Sequence, residues 1–237
     1  MSTDRCQRCA MAVMAKAPRA GQAKTRLASA LSPQGAAEIS ACFIRDAVGN
    51  IVAAGVEAAI DAYVAYSPRD AESEFGAMLI GSVGLLPSRR PGLAASLYDA
   101  AADLLAAGYG SVCLVNSDSP TLPTPVLVDA ARMLAGPGDG IVLGPAEDGG
   151  YYLVGLKRAH ARLFEDIAWS TPAVLGQTLD RAHELGLEPT VLPSWYDVDD
   201  LASLRRLDAE LFGESGDPTI YRAPHTAAFL RAGRTGS

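Results

Sequence analysis

Long apolar runs are missing from this 237-residue sequence. None approaches the roughly 18 consecutive apolar residues that mark a membrane-spanning helix, so no span is expected. The opening residues, MSTDRCQRC, carry charges, and no signal-peptide apolar stretch follows them. A cytoplasmic protein is expected. Basic charge is also short: 20 Lys and Arg stand against 27 Asp and Glu, a formal net charge of -7. That balance speaks against a broad basic surface for nucleic acid, and it makes each cation worth locating. Cysteine is sparse as well. Cys6 and Cys9 form a C-x-x-C pair, but no second pair follows and the segment does not open a helix after a strand. It reads as part of a flexible leader over residues 1–9 rather than as a zinc or redox motif. Cys42 and Cys113 read as small core residues.

What is there is apolar material in short pieces. Hydrophobic residues make up 49% of the chain, enough for a sizeable core in one domain over residues 1–237. The continuous apolar run at 10–15 suits a buried central strand, 60–66 and 83–86 read as further strands, and 111–116 as another buried strand. Two more strands, 140–145 and 151–156, form a hairpin, and 189–192 is a last strand. Helices are expected from Ser32-Pro33 to a stop near Gly55, over 70–79, over 93–107, from Thr124-Pro125 to 135, from Thr171-Pro172 to 185, and from Asp199 or Asp200 to 212. The tail, 213–237, is rich in Gly, Pro, Thr and Arg and reads as loosely ordered. Strands alternating with helices predict an α/β fold: a mostly parallel twisted sheet with helices on both faces.

In such sheets ligands bind at the carboxyl ends of the strands, near the switch in strand order. The polar residues of this sequence fall there. KAPRAGQAKTR follows the first strand, NSDSP the fourth, AEDGG the fifth and WYDVDD the last. The first loop ends like a phosphate-binding P-loop at Lys24-Thr25, but Pro18 and Ala23 occupy the two required glycine positions, so that motif fails. Its cations still suit phosphate. With residues 24–26 extended, Lys24 and Arg26 would point to one side. Arg26 could then make paired hydrogen bonds, with Lys16 and Lys24 as point charges. Gly21 would let backbone approach the ligand. Asp118 is expected at the mouth of the sheet, where Pro120 ends the ladder. It suits either a turn cap or a hard ligand for Mg²⁺ or Mn²⁺. Such an ion takes one or two carboxylates plus substrate phosphates, and Asp197 and Asp199 could each supply the second.

Four stretches, AKAPRAGQAKTRL, NSDSPTLP, GPAEDGGYYLVGL and YDVDDLASL, resemble in this order the motifs of the DUF2064 family across residues 10–204. These proteins are assigned as glycosyltransferases with the GT-A fold of nucleotide-diphospho-sugar transferases and are related to bacterial nucleotidyltransferases. The resemblance implies a single GT-A-like domain. It also implies that Lys16, Lys24 and Arg26 contact a nucleotide's phosphates, that Asp118 is the metal-binding aspartate, and that Asp199 is the second metal carboxylate. The sequence departs from the family in three places. RRPGLAASL stands where Gly-x-Leu-Gly-x-Arg is frequent, Asn116 replaces a frequent glycine, and Ser203 replaces a common acid.

On this reading the hairpin is the floor of the site. Gly149 and Gly150 would let a sugar or acceptor approach backbone, and Tyr151 and Tyr152 would point to opposite faces, one of them a wall for the ligand. Asp148 is placed to act as general base on an acceptor hydroxyl. The expected activity is metal-dependent glycosyl transfer from a nucleotide-diphospho-sugar to a small-molecule acceptor. The alternatives are nucleotidyl transfer from an NTP to a phosphorylated acceptor and a nucleotide-binding protein without turnover.

Overall fold

The computed structural model describes residues 5–79, 81–213 and 219–235. Its seven strands are β1 (Cys9–Lys16), β2 (Ile60–Ser67), β3 (Gly84–Pro87), β4 (Ser111–Asn116), β5 (Ile141–Pro145), β6 (Tyr151–Leu156) and β7 (Pro189–Val191). They form one sheet in the order β3-β2-β1-β4-β6-β5-β7. Only β6 runs antiparallel to its neighbours, β4 and β5. Seven α-helices cover the sheet: α1 (Ala28–Glu57), α2 (Glu72–Met78), α3 (Leu93–Ala106), α4 (Thr124–Ala135), α5 (Val174–Glu184), α6 (Leu201–Phe212) and α7 (Pro224–Thr235).

The continuous apolar character of β1 follows from burial on both faces. Cys9, Met11, Val13 and Ala15 face one core cluster with α1 and α4 residues such as Ile44, Ile51 and Leu127. Ala10 and Ala12 face another with Leu97, Leu104 and Ala182 of α3 and α5. A third cluster joins the first half of α1 to α6 through Phe43, Leu204 and Leu207. Each fully buried large side chain contributes about 1.5–3 kcal/mol by leaving water.

Several boundaries differ from the sequence expectation. Ser32-Pro33 does start a helical run, with Ser32 Oγ accepting from Gly35 N at 3.2 Å, but one further turn precedes it. The two runs meet at a kink where Ser32 has φ 65° and Pro33 has no N–H to donate. Gly55 does not stop α1, which continues to Glu57. By length and hydropathy α1 could cross a membrane, yet 56% of its apolar window is buried, as in a core helix. α5 begins at Val174, after Thr171 has closed a local turn by donating to Ala168 O at 2.7 Å.

The terminal expectations need correction. Within the leader, Cys9 already belongs to β1, and Arg8 is ion-paired to Asp61 at 2.6 Å. Cys9 Sγ lies 3.8 Å from Cys113 Sγ on the neighbouring strand, so its close sulfur partner is not Cys6 but a core thiol. The tail is helical over α7 rather than loose. Fully buried Asp46 accepts from His225 N at 3.0 Å and from Thr226 N at 2.8 Å, satisfying two amides of the first helical turn. Residues 1–4, 214–218 and 236–237 of the two terminal stretches lie outside the described residues.

Candidate active site

The sheet order reverses between β1 and β4, since the chain moves outward from β1 to β2 and β3 and then returns to β1's other side. Beyond the carboxyl ends of these strands lies a cleft of about 1190 Å³. Lys16, Lys24, Arg26, Asp118, Asp148, Gly150, Tyr151, Asp197 and Asp199 all line it. Gly21 and Gly149 do not.

The first loop is a series of turns, not the extended segment expected at residues 24–26. Gly21 turns it with φ 74° and is exposed, so its part is conformational. Lys24 has φ 45°, a left-handed backbone that a side-chain-bearing residue adopts at a cost. That conformation accompanies a side chain directed inward. Its ammonium lies 2.6 Å from Asp199 Oδ1, 2.9 Å from Asp118 Oδ1 and 2.8 Å from Val198 O. Only 8% of the Lys24 side chain is exposed. Burial works to lower its pKa, but the two facing carboxylates outweigh burial and hold it above the usual lysine value. Lys16 and Arg26 are exposed, and neither side chain makes an ion pair or hydrogen bond among the described residues. Arg19 faces away from this chemistry and pairs with Glu74.

The carboxylates are held by ties between two distant segments. Asn116 Nδ2 and Ser119 Oγ donate to Asp197 Oδ1 at 2.7 and 2.6 Å, and Val198 N donates to Asp118 O at 2.8 Å. Asn116 Oδ1 also accepts from Asp118 N at 3.3 Å. The asparagine that replaces a frequent glycine is therefore part of the scaffold. Along YDVDD, Tyr196 and Val198 are buried in the third cluster, which turns Asp197 and Asp199 toward the cleft. Asp200, not Asp199, caps α6. It accepts from Ser203 N at 2.8 Å while Ser203 Oγ accepts from Asp200 N at 3.1 Å, a closed capping box. Ser203 thus has a structural reason, and Asp199 is free to face Lys24. Burial pushes the Asp197 carboxyl up to about 6, helped by the Asp118 charge and opposed by the Ser119 and Asn116 donors.

The hairpin loop is wider than a two-residue turn: Ala146 N donates to Gly150 O at 3.0 Å. Gly149 has φ 91°, and a Cβ there would stand 2.4 Å from Pro172 O. Its missing side chain admits the segment leading into α5, not a sugar. Gly150 has no positive φ and does line the cleft. Asp148 is exposed, and its Oδ1 accepts from Gly150 N at 2.8 Å. Tyr152 packs into the core and donates to Pro193 O at 2.8 Å. Tyr151 faces the other way, edge-on to Trp169 at 6.4 Å between ring centroids, and its hydroxyl is buried beside Thr178. Burial raises that phenol's pKa.

Two features of the cleft were missed in the sequence. Trp169 forms the wall with Tyr151, though nothing in its local pattern marks it. In RRPGLAASL, Arg90 makes a two-pronged pair with Asp99 at 2.6 and 2.9 Å, and Arg89 reaches Asp103 at 2.9 Å. The Arg90 guanidinium holds the Asp99 carboxyl below its usual range despite burial. This segment borders the cleft as a neutralised arginine–aspartate cluster.

A family model described as an uncharacterized protein conserved in bacteria, DUF2064, matches residues 50–171, just over half of the chain. The chain belongs to the DUF2064 family. The matched span holds Asp118, Asp148 and the hairpin glycines, while Lys24 and Asp199 join them only through the fold. The DUF2064 chain is also similar to a solved protein named as a candidate nucleotide-diphospho-sugar transferase from Desulfovibrio desulfuricans G20. The two share 26% identity over 96% of this chain and 95% of that one, with a TM-score of 0.82. A nucleotidyl transferase from Methanothermobacter shares 16% identity over 95% and 99% of the two chains, at a TM-score of 0.58. A cytidylyltransferase from Leptospira borgpetersenii shares 10% over 96% and 95%, at 0.55. At those two identities the likeness is one of fold. No curated protein matches the sequence. The α/β architecture is therefore that of the nucleotide-diphospho-sugar transferases.

Among the described residues no cluster of three or more His, Cys, Asp and Glu could hold an ion, so a closed protein cage is absent. Asp118 and Asp199 nevertheless approach one cationic point together, within 2.9 and 2.6 Å. Two hard carboxylates and an open cleft fit Mg²⁺ or Mn²⁺ completed by a ligand's phosphates.

Proposed function

We propose that this DUF2064 protein transfers a glycosyl group from a nucleotide-diphospho-sugar to a small-molecule acceptor. The carrying observation is the meeting of Lys24, Asp118 and Asp199 at one point, with unpaired Lys16 and Arg26 on the same cleft. Lys16 and Arg26 bind the diphosphate first, because no ion pair or hydrogen bond among the described residues competes for their side chains. Asp118 and Asp199 would hold Mg²⁺ or Mn²⁺, which when bound would supply neutralisation of charge on the leaving diphosphate. The cations of the first loop oppose the same charge. Tyr151 and Trp169 wall the cleft beside Gly150, where the sugar and acceptor meet. Asp148 is the base for the acceptor hydroxyl.

One observation favours nucleotidyl transfer as a second reading. Asp148 Oδ1 is engaged by Gly150 N, and nucleotidyl transfer to a phosphorylated acceptor needs no base. The names of the Methanothermobacter and Leptospira proteins agree with this reading.

The test is a thermal-shift screen of nucleotides and nucleotide sugars with and without Mn²⁺, on wild type and Asp118→Ala. A ligand at about 100 times its Kd adds about 2.7 kcal/mol to the native state. We expect a metal-dependent shift with at least one donor, lost in the variant. A donor that shifts the protein is then incubated with acceptor panels. Free nucleoside diphosphate supports glycosyl transfer, pyrophosphate supports the second reading, and binding without any product supports a protein without turnover. No shift with any nucleotide refutes the proposal.

A further inference from the structure

Lys24 is cast above as a phosphate ligand, yet it has no capacity left for one. An ammonium has three N–H donors, and three oxygens already surround this one: Asp199 Oδ1, Val198 O and Asp118 Oδ1, at 2.6, 2.8 and 2.9 Å. The side chain is 8% exposed and lies over the Phe43 ring, 5.6 Å from its centroid. Its strained backbone, φ 45°, belongs to the same arrangement. The two carboxylates that would hold a divalent ion are thus already bridged by a positive charge of the chain's own. An ion at that point would meet a like charge at contact distance in a poorly solvated place, where repulsion is large.

We infer that Lys24 is a built-in counter-ion that keeps divalent metal off Asp118 and Asp199 until a diphosphate is present. The inference rests on the proposed metal-and-nucleotide reading and adds an order to it. Lys16 and Arg26 are exposed and unpaired, so they receive the phosphates first. The arriving phosphate offers Lys24 a second set of acceptors. Lys24 moves to them, and the two carboxylates become free for the ion. Phosphate and metal binding are therefore positively coupled through one side chain, and the coupling is reciprocal. Without phosphate, the empty protein binds metal weakly. Neutralising Lys24 then has opposite effects on the two ligands, which a plain phosphate-binding lysine would not produce.

Mn²⁺ alone and inorganic pyrophosphate serve as probes, titrated calorimetrically into the full chain. Lys24→Met is expected to bind Mn²⁺ on the order of tenfold more tightly than wild type, because a like charge at the ion's position is gone. The same variant is expected to bind pyrophosphate with Mn²⁺ more weakly than wild type. Lys24→Arg, which keeps the charge, should leave Mn²⁺ binding weak. A second measurement needs no variant. Acetylation of Lys24 in wild type, followed by mass spectrometry, should be slow in the free protein and accelerate severalfold when Mn²⁺ and pyrophosphate are added together. Unchanged or weaker Mn²⁺ binding by Lys24→Met, or acetylation that ignores the ligands, overturns the counter-ion. If pyrophosphate binding falls while Mn²⁺ affinity stays the same, only this inference fails and the proposed function stands. A protein that binds no nucleotide, yet whose Mn²⁺ affinity rises in Lys24→Met, retains the counter-ion and loses the proposed function.

Discussion

Replacing Asp197 with asparagine should stabilise the metal-free protein above pH 6 and leave it nearly unchanged at pH 4. The Asp197 carboxyl has a pKa of about 6 in the folded chain against 3.8 for an unperturbed group, chiefly because it is buried beside Asp118. A carboxyl whose pKa rises on folding binds more protons in the native state, so native stability falls as pH rises. Below about pH 3 both states carry the proton and the group costs nothing. Between 4 and 6 the unfolded state ionises first and the cost develops. Above 6 it is complete: about two pH units at ~1.4 kcal/mol each, or about 3 kcal/mol. Asparagine retains an oxygen for Asn116 and Ser119 and carries no charge. Urea denaturation with a chelator at pH 4, 5, 6 and 7.5 measures the difference between the two proteins, in which titrating groups not coupled to Asp197 cancel. A gain of about 2–3 kcal/mol at pH 7.5 that shrinks to about 0.5 kcal/mol at pH 4 is expected. A variant that is less stable than wild type at pH 7.5, or a difference that does not vary with pH, would refute the reasoning.

The other predictions concern the walls and supports of the cleft. Gly149→Ala places a Cβ 2.4 Å from Pro172 O at φ 91°. It should cost about 2–4 kcal/mol in chemical denaturation, from positive-φ strain and overpacking together. Asp46→Ala leaves the first-turn amides of α7 without their buried acceptor. It should cost about 2–3 kcal/mol, with hydrogen exchange rising over residues 224–235 before the rest of the chain. Lys16→Ala and Arg26→Ala remove exposed cations whose side chains make no ion pair or hydrogen bond among the described residues, so stability should stay within about 0.5 kcal/mol. Nucleotide affinity should fall about tenfold for each, a loss of about 1.4 kcal/mol per phosphate contact, as read by calorimetry.

Much of this molecule is legible along the chain. The apolar runs of β1 and β4 announce strands buried on both faces, and Lys16, Asn116 and the AEDGG loop fall at strand ends, as the sheet rule requires. Ser32-Pro33 announces a helix start that the structure contains, one turn inside a longer helix. The opposed faces of Tyr151 and Tyr152 follow from strand alternation alone. Elsewhere local pattern misled. The Gly, Pro and Thr of the tail suggest loose chain, but Asp46 holds α7 from the far side of the sequence. The two hairpin glycines suggest space for a ligand, yet at Gly149 that space is taken by the backbone of Pro172.

The sequence alone determined the alternation of strands and helices and the placing of charged residues at strand ends, because both are written in neighbouring residues through periodicity and turn chemistry. Only the tertiary structure decided what those charges do. Lys24 and Asp199 are 175 positions apart, and no local signal says that this cation meets two carboxylates instead of solvent. Their pairing depends on the buried Tyr196 and Val198, on the Asn116 and Ser119 ties and on the left-handed turn at Lys24. These are long-range packing constraints, felt only once the sheet has closed around its core.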